Sequence, residues 1–247
     1  MFNKLIILCI TCLTTTAMAL PTGNEILKKT DSYRKSSTSL RVEIEIKNYK
    51  GEKLDSERRY QVYAKTNRRS LVLSQHIKEK GQKFLMVDGN FWIIMPKSKR
   101  PIRITPRQKM LGNAALGDIS QLTFSDDYNS RIIEEDVLIS NIPTVKLELT
   151  AKANGTTYNK IHLWVNKENF FPIKADFFLK SGKLAKNADF LSIDDKDGNP
   201  LVTGIVLRDR IQKTQKTVMT YLNGETKEIP DRYYNPSYLI RSNLEPF

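Results

Sequence analysis

The sequence predicts a mainly β, α+β fold: one antiparallel meander, closed or partly closed on itself. Three observations predict it. Runs of alternating apolar and polar residues recur from Leu40 to Leu222, about ten in a row. Tight-turn residues separate them, as at Asp88-Gly89 and Asn154-Gly155. Only the stretch from Pro21 to Lys35 has sustained helical spacing. No Gly/Ser linker or low-complexity run divides the chain, so residues 20–247 read as a single domain.

The N-terminus is read first. Met1 to Lys4 supplies one positive charge, Leu5 to Leu13 is an apolar core, and Ala17-Met18-Ala19 is an A-x-A cleavage site. Residues 1–19 therefore read as a secretory signal peptide, too short and wrongly flanked for a membrane-spanning helix. Cys9 and Cys12, the only two cysteines, fall inside it. The mature chain is then expected to have no disulfide and no thiolate metal ligand. Lipidation at Cys12 is the rival reading, but Thr11 precedes it where a small residue is usual.

The helix from Pro21 to Lys35 can be capped by Thr22 or Asn24. Ile26, Leu27, Thr30 and Tyr33 form one side, and Lys28, Lys29, Asp31, Arg34 and Lys35 the other. Leu40, Val42, Ile44 and Ile46 alternate with charged residues in the first strand. Tyr60 to Ala64, Leu71 to Leu73 and Phe84 to Val87 continue the series. Phe91-Trp92-Ile93-Ile94-Met95 follows the Asp88-Gly89 turn and is apolar on both faces. A half-exposed strand normally keeps one polar face. Either something covers both sides of this one or one side faces an apolar cavity.

Ile102 to Thr105 is the next strand, and then the pattern changes. Met110, Leu111, Ala114, Ala115, Leu116, Ile119 and Leu122 sit among Gly112, Asn113, Gly117 and Asp118, which reads as short, loosely specified helical turns. Two readings fit. The segment is a connector whose apolar side caps an ordinary core, or it is a mobile lid over a cavity. In the second, Met110, Leu111, Leu116, Ile119 and Leu122 turn inward toward Trp92 and the strand faces around it, with Trp92 and Ile94 lining the cavity. Strands resume at Ile132 to Ile139, Val145 to Ala151, Ile161 to Val165, Ile173 to Leu179, Ala188 to Ile193, Leu201 to Arg210 and Thr217 to Leu222.

The chain has 247 residues and a formal net charge of +13. A basic exported protein seldom meets nucleic acid; an anionic membrane surface or an acidic partner fits better, and the charge also serves solubility. His76 and His162 are the only histidines. Neither sits in a metal-ligand spacing, and no nucleophile elbow or glycine-rich phosphate loop occurs. No residue set points to catalysis, a cofactor or a metal.

Several motifs, in order, resemble one family. Asp88-Gly89, Trp92 and Pro96 resemble the central hairpin of LolA-like periplasmic lipoprotein carriers. Trp164-Val165, Lys167, Pro172 and Lys174 resemble a second hairpin of the same superfamily. Arg100-Pro101 to Gly117-Asp118, Asp127-Tyr128 and Ile229-Pro230-Asp231-Arg232 are similar to a narrower branch of outer-membrane lipoprotein-sorting proteins. The resemblance implies an incomplete β-barrel formed by one curved antiparallel sheet, with the N-terminal helix and short helices over its concave face. It implies a non-enzymatic monomer in the periplasm of a Gram-negative bacterium that carries lipoprotein acyl chains or another lipid. An inner-membrane transporter would supply the cargo and an outer-membrane acceptor would take it. Arg68 and Arg69 lie where the carriers have a lid-latching arginine, although Ser70 replaces the usual proline. The alternative is an envelope sensor or scaffold that uses the same fold to bind a protein partner.

Overall fold

A computed structural model describes residues 20–34, 39–66, 68–98, 100–107, 109–111, 114–120, 123–153, 155–194 and 200–242. The expected signal peptide, Cys9, Cys12 and Leu122 lie outside them. Helix α1 (Gly23–Ser32) leads into β1 (Ser39–Lys50), β2 (Lys53–Lys65), β3 (Arg69–Ser74), β4 (Lys83–Val87), β5 (Asn90–Ile94) and β6 (Ile102–Ile104). A crossing segment holds β7 (Lys109–Leu111), β8 (Ala114–Ala115) and α2 (Leu116–Ser120). Then come β9 (Tyr128–Ile139), β10 (Ile142–Ala151), β11 (Lys160–Asn166), β12 (Pro172–Phe178), β13 (Leu184–Asp194), β14 (Pro200–Asp209) and β15 (Gln215–Thr226). A 3₁₀ turn (Asp231–Tyr234) and α3 (Pro236–Arg241) follow.

Thirteen strands form one antiparallel sheet in the order β6-β5-β4-β3-β2-β1-β15-β14-β13-β12-β11-β10-β9. The sheet curves but does not close, because its edges β6 and β9 do not pair. This is the expected incomplete barrel. The chain enters at the centre with β1, meanders out to β6, crosses to β9, and meanders back to β15 beside β1. The crossing segment thus spans the open side.

Thr22 caps α1 with a reciprocal capping box to Glu25. Asn24 acts elsewhere: its Oδ1 accepts the Ser130 amide at 2.7 Å, blunting the β9 edge. Ile26, Leu27 and Thr30 face inward as expected. Asp31 does too, contrary to its placement on the polar side. Four residues after Leu27, it occupies the same helical stripe.

The main core gathers on the concave face. Ile44, Val62, Phe84 and Phe91 come from one wing, and Leu147, Leu163, Ala175 and Leu207 from the other. A second cluster lies on the opposite face of β2–β5, where Tyr63, Leu71, Leu85 and Ile94 pack with Ile229, Tyr234 and Leu239. The C-terminal segment covers them. Asn235 caps α3, and Pro236 stands at its start. This explains the strand with no polar face. Phe91 and Ile93 go to the concave core, while Trp92 and Ile94 go under the C-terminal segment. Truncating Leu239, fully buried there, is expected to cost about 2–5 kcal/mol. In a urea melt of Leu239→Ala, Trp92 emission should shift to the red at low denaturant; unchanged emission and stability would refute this docking.

Candidate functional site: the chamber under the crossing segment

The expected helical turns of the crossing segment are partly β. Lys109 pairs with Ala115 and Leu111 with Ala114 in a small hairpin, and only α2 is helical. Pairing of these backbones satisfies donors that a short helical turn leaves open. Ile119 is fully buried in the main core. Met110 and Leu111 lie in β7 and Leu116 opens α2, but the placement of these three side chains is outside the description. Trp92 and Ile94 are on the far side of the sheet from Ile119. The expectation that Trp92 and Ile94 line the cavity under the segment is corrected by strand parity, since alternate residues of β5 point to opposite faces and Phe91 and Ile93 share the core with Ile119.

Three polar anchors fasten the segment, and two of them were not read from the sequence. First, the Asp31 carboxylate accepts the amides of Phe124 at 2.8 Å and Ser125 at 2.7 Å. Burial pushes its carboxyl up, countered by the nearby Arg34 charge and these amides. Second, Asp118 of α2 pairs with Lys186 of β13 at 2.6 Å, both side chains only 9% exposed. Asp118 also accepts the Tyr158 hydroxyl at 2.9 Å and the Ala115 amide at 2.8 Å. Third, Arg68 reaches Asp127 at 2.7 Å, where the segment joins β9. Burial raises the Asp127 carboxyl, and the Arg68 charge opposes the rise.

Arg68 therefore ties the β2–β3 turn to the start of β9. It adopts a positive φ of 56° in the β2–β3 turn, and its guanidinium lies on Gly89. Gly89 is itself at φ 78°, a conformation that favours glycine, and a Cβ there would stand 2.6 Å from Nη2 of Arg68 and displace the guanidinium. Arg69 faces elsewhere. It joins Lys65 at Asp231, 3.4 and 2.6 Å away, fastening the C-terminal segment instead.

Gly117 sits where α2 presses on Thr157. A Cβ at Gly117 would come within 3.0 Å of two Thr157 carbons and closer still to its hydroxyl. This glycine is required by close approach. Beneath it remains a void of about 30 Å³, lined by Gly117, Asp118 and Phe124 above and by Ile161, Phe177, Leu207 and Met219 below. That is room for a single water. The space is lined mostly by apolar side chains and covered by a segment that is not part of the thirteen-stranded sheet.

A family model described only as "Uncharacterized protein" matches residues 65–241. Comparison with curated sequences gives no match. Among solved structures, a LolA superfamily protein from Nitrosomonas europaea is similar at 31% identity and a TM-score of 0.82, over 89% of this chain and 100% of that one. A DUF1329 family protein from Desulfovibrio piger shares the fold at 21% identity and a TM-score of 0.70, over 88% and 97%. So does a domain named for outer membrane lipoprotein sorting from Vibrio parahaemolyticus, at 18% identity and 0.72, over 89% and 98%. With an open thirteen-stranded sheet, a segment crossing its mouth and this identity over the whole of the Nitrosomonas chain, the protein belongs to the LolA superfamily.

Proposed function

We propose that the protein is a periplasmic carrier, without catalysis, that takes up lipoprotein acyl chains or another lipid on its concave face. It would receive cargo from an inner-membrane transporter and release it to an outer-membrane acceptor. The observation that carries this reading is the construction of the mouth. An apolar chamber is closed by a segment held with discrete polar anchors rather than by a continuous ladder. Such anchors can break and re-form as a unit while the sheet stays intact. The resemblance to a superfamily with a lipoprotein-sorting member supports the same reading.

The void directly beneath Gly117 is too small for an acyl chain, so uptake at that place requires the segment to rise. The driving force is apolar burial, about 0.8 kcal/mol for each methylene, offset by the cost of ordering the chain and releasing the anchors. The test is native mass spectrometry of protein purified from the periplasm, with titration of a fluorescent fatty acid. Co-purifying lipid or acylated peptide and saturable uptake are expected. Protein recovered repeatedly empty, with no uptake, would overturn the reading.

A further inference from the structure

Strand β14 runs beneath three spaces in series. Near its start, Val202 and Thr203 line a cavity of about 260 Å³ at the C-terminal end of α1, with Leu40 and Val42 of β1. In its middle, Ile205 and Leu207 line the small void under the crossing segment. At its end, Asp209 lines a third cavity of about 170 Å³, walled also by Leu179, Ala185, Ile211 and, from the crossing segment, Ala115. From Val202 to Asp209 the strand advances about 23 Å. Arg34 borders the first and second spaces, and Tyr158 borders the second and third.

We infer that the three spaces form one acyl-chain channel, that the third cavity receives the methyl end of a long chain, and that Tyr158 is the partition by which the protein tells long chains from short ones. The inference rests on the carrier reading. Among the described residues, Tyr158 alone borders both the void and the third cavity. It is buried, its ring lies 4.7 Å from that of Phe177, and its hydroxyl donates to Asp118 at 2.9 Å. Asp118 lines the void while its partner Lys186 lines the third cavity, so this ion pair crosses the same boundary. The partition is thus made of groups that hold α2, and it opens when α2 rises. The third cavity also suits a hydrocarbon end. Ala185 belongs to the main core, Leu179 packs against that core, and Ile211 leaves an apolar lip 51% exposed. The one carboxylate in its lining, Asp209, accepts the amides of Ile211 and Gln212 and so closes its own turn.

Size agrees. Neither large cavity alone reaches the roughly 300–1,000 Å³ of sites that enclose a whole ligand, whereas the two joined do. A chain that stops short of Tyr158 leaves the third cavity unused. A longer one buries further methylenes there, each adding about fourfold in affinity.

The experiment compares decanoate with hexadecanoate, which share a headgroup and differ in length, in a fluorescent-fatty-acid displacement assay. Ala185→Phe, which fills the third cavity, should weaken hexadecanoate at least about tenfold and leave decanoate unchanged. Tyr158→Leu, which thins the partition, should favour hexadecanoate over decanoate by at least about threefold more than wild type does. A thermal melt checks that both variants fold. Leu179→Trp gives a readout that needs neither of them. Hexadecanoate brominated at its last carbon should quench the emission gained by that substitution, and decanoate brominated at its last carbon should not. Loss of both chains alike in folded Ala185→Phe, loss of neither, an unchanged ratio in folded Tyr158→Leu, or absence of the quenching overturns the inference while leaving the carrier reading in place. Failure of wild type to bind either chain removes both.

Discussion

Lys186→Met is expected to lower the stability of the closed domain by about 3–5 kcal/mol, because it strands the Asp118 carboxylate in the interior without its cation. The two groups are 2.6 Å apart and nearly excluded from water, so solvent screening does little to soften the loss. The Tyr158 hydroxyl and the Ala115 amide remain as donors and keep the effect toward the lower end. The response available to the protein is to lift α2 and let water reach Asp118. Two signatures should therefore appear together: a lower urea midpoint and faster proteolysis within residues 105–127. Asp118→Asn/Lys186→Met, which removes both charges and retains one acceptor, should recover most of the stability. A single variant within about 1 kcal/mol of wild type would show that the pair is already hydrated and does not fasten the segment.

Gly117→Ala is expected to cost about 1–3 kcal/mol, unusual for so small a change in a short helix. Alanine is normally the better helix former. Here the added methyl would meet Thr157, itself buried, so either the β10–β11 connection or α2 must shift. Since α2 is held by side chains and not by a sheet ladder, α2 is the part that yields. Faster uptake of the fluorescent fatty acid should accompany the loss of stability. Removing the obstacle with Thr157→Ala in the same chain should restore most of both. A melting temperature unchanged by Gly117→Ala, or a loss that Thr157→Ala does not relieve, would remove the close contact from the account.

The sheet was legible in the sequence because its signal is local. Period-two alternation and turn residues such as Asp88-Gly89 mark strands without knowledge of what they face. The face itself was not legible at β5. Its residues are apolar on both sides, and only the docking of the 3₁₀ turn and α3 shows that Trp92 and Ile94 serve an outer cluster. The signal missed there was Asn235-Pro236, a cap followed by a proline that suits a first helical turn. Ile119 is buried, in keeping with the apolar run around it. The anchors were hidden for a different reason. Asp31, Asp118 and Lys186 look like solvated charges, and each gains its role from a partner far along the chain. Asp31 alone carried a local hint, its place one turn beyond Leu27. Arg68 was singled out by resemblance, and its contact with Asp127 is visible only in the fold.

The position of β1 at the centre of the sheet has a consequence for how the domain assembles. From β1 to β6, and again from β9 to β15, each strand pairs with its neighbour in sequence, so each wing closes only short loops. The seam between β1 and β15 joins residues from opposite ends of the chain, Lys50 with Gln215 and Leu40 with Thr226. Its closure entropy is the largest in the molecule unless the wings are already formed. Assembly by local hairpins therefore makes two separate meanders first, each with an apolar face still open to water, and the seam zips them. Until it does, the concave face that later accepts a ligand is the most adhesive surface of the nascent chain.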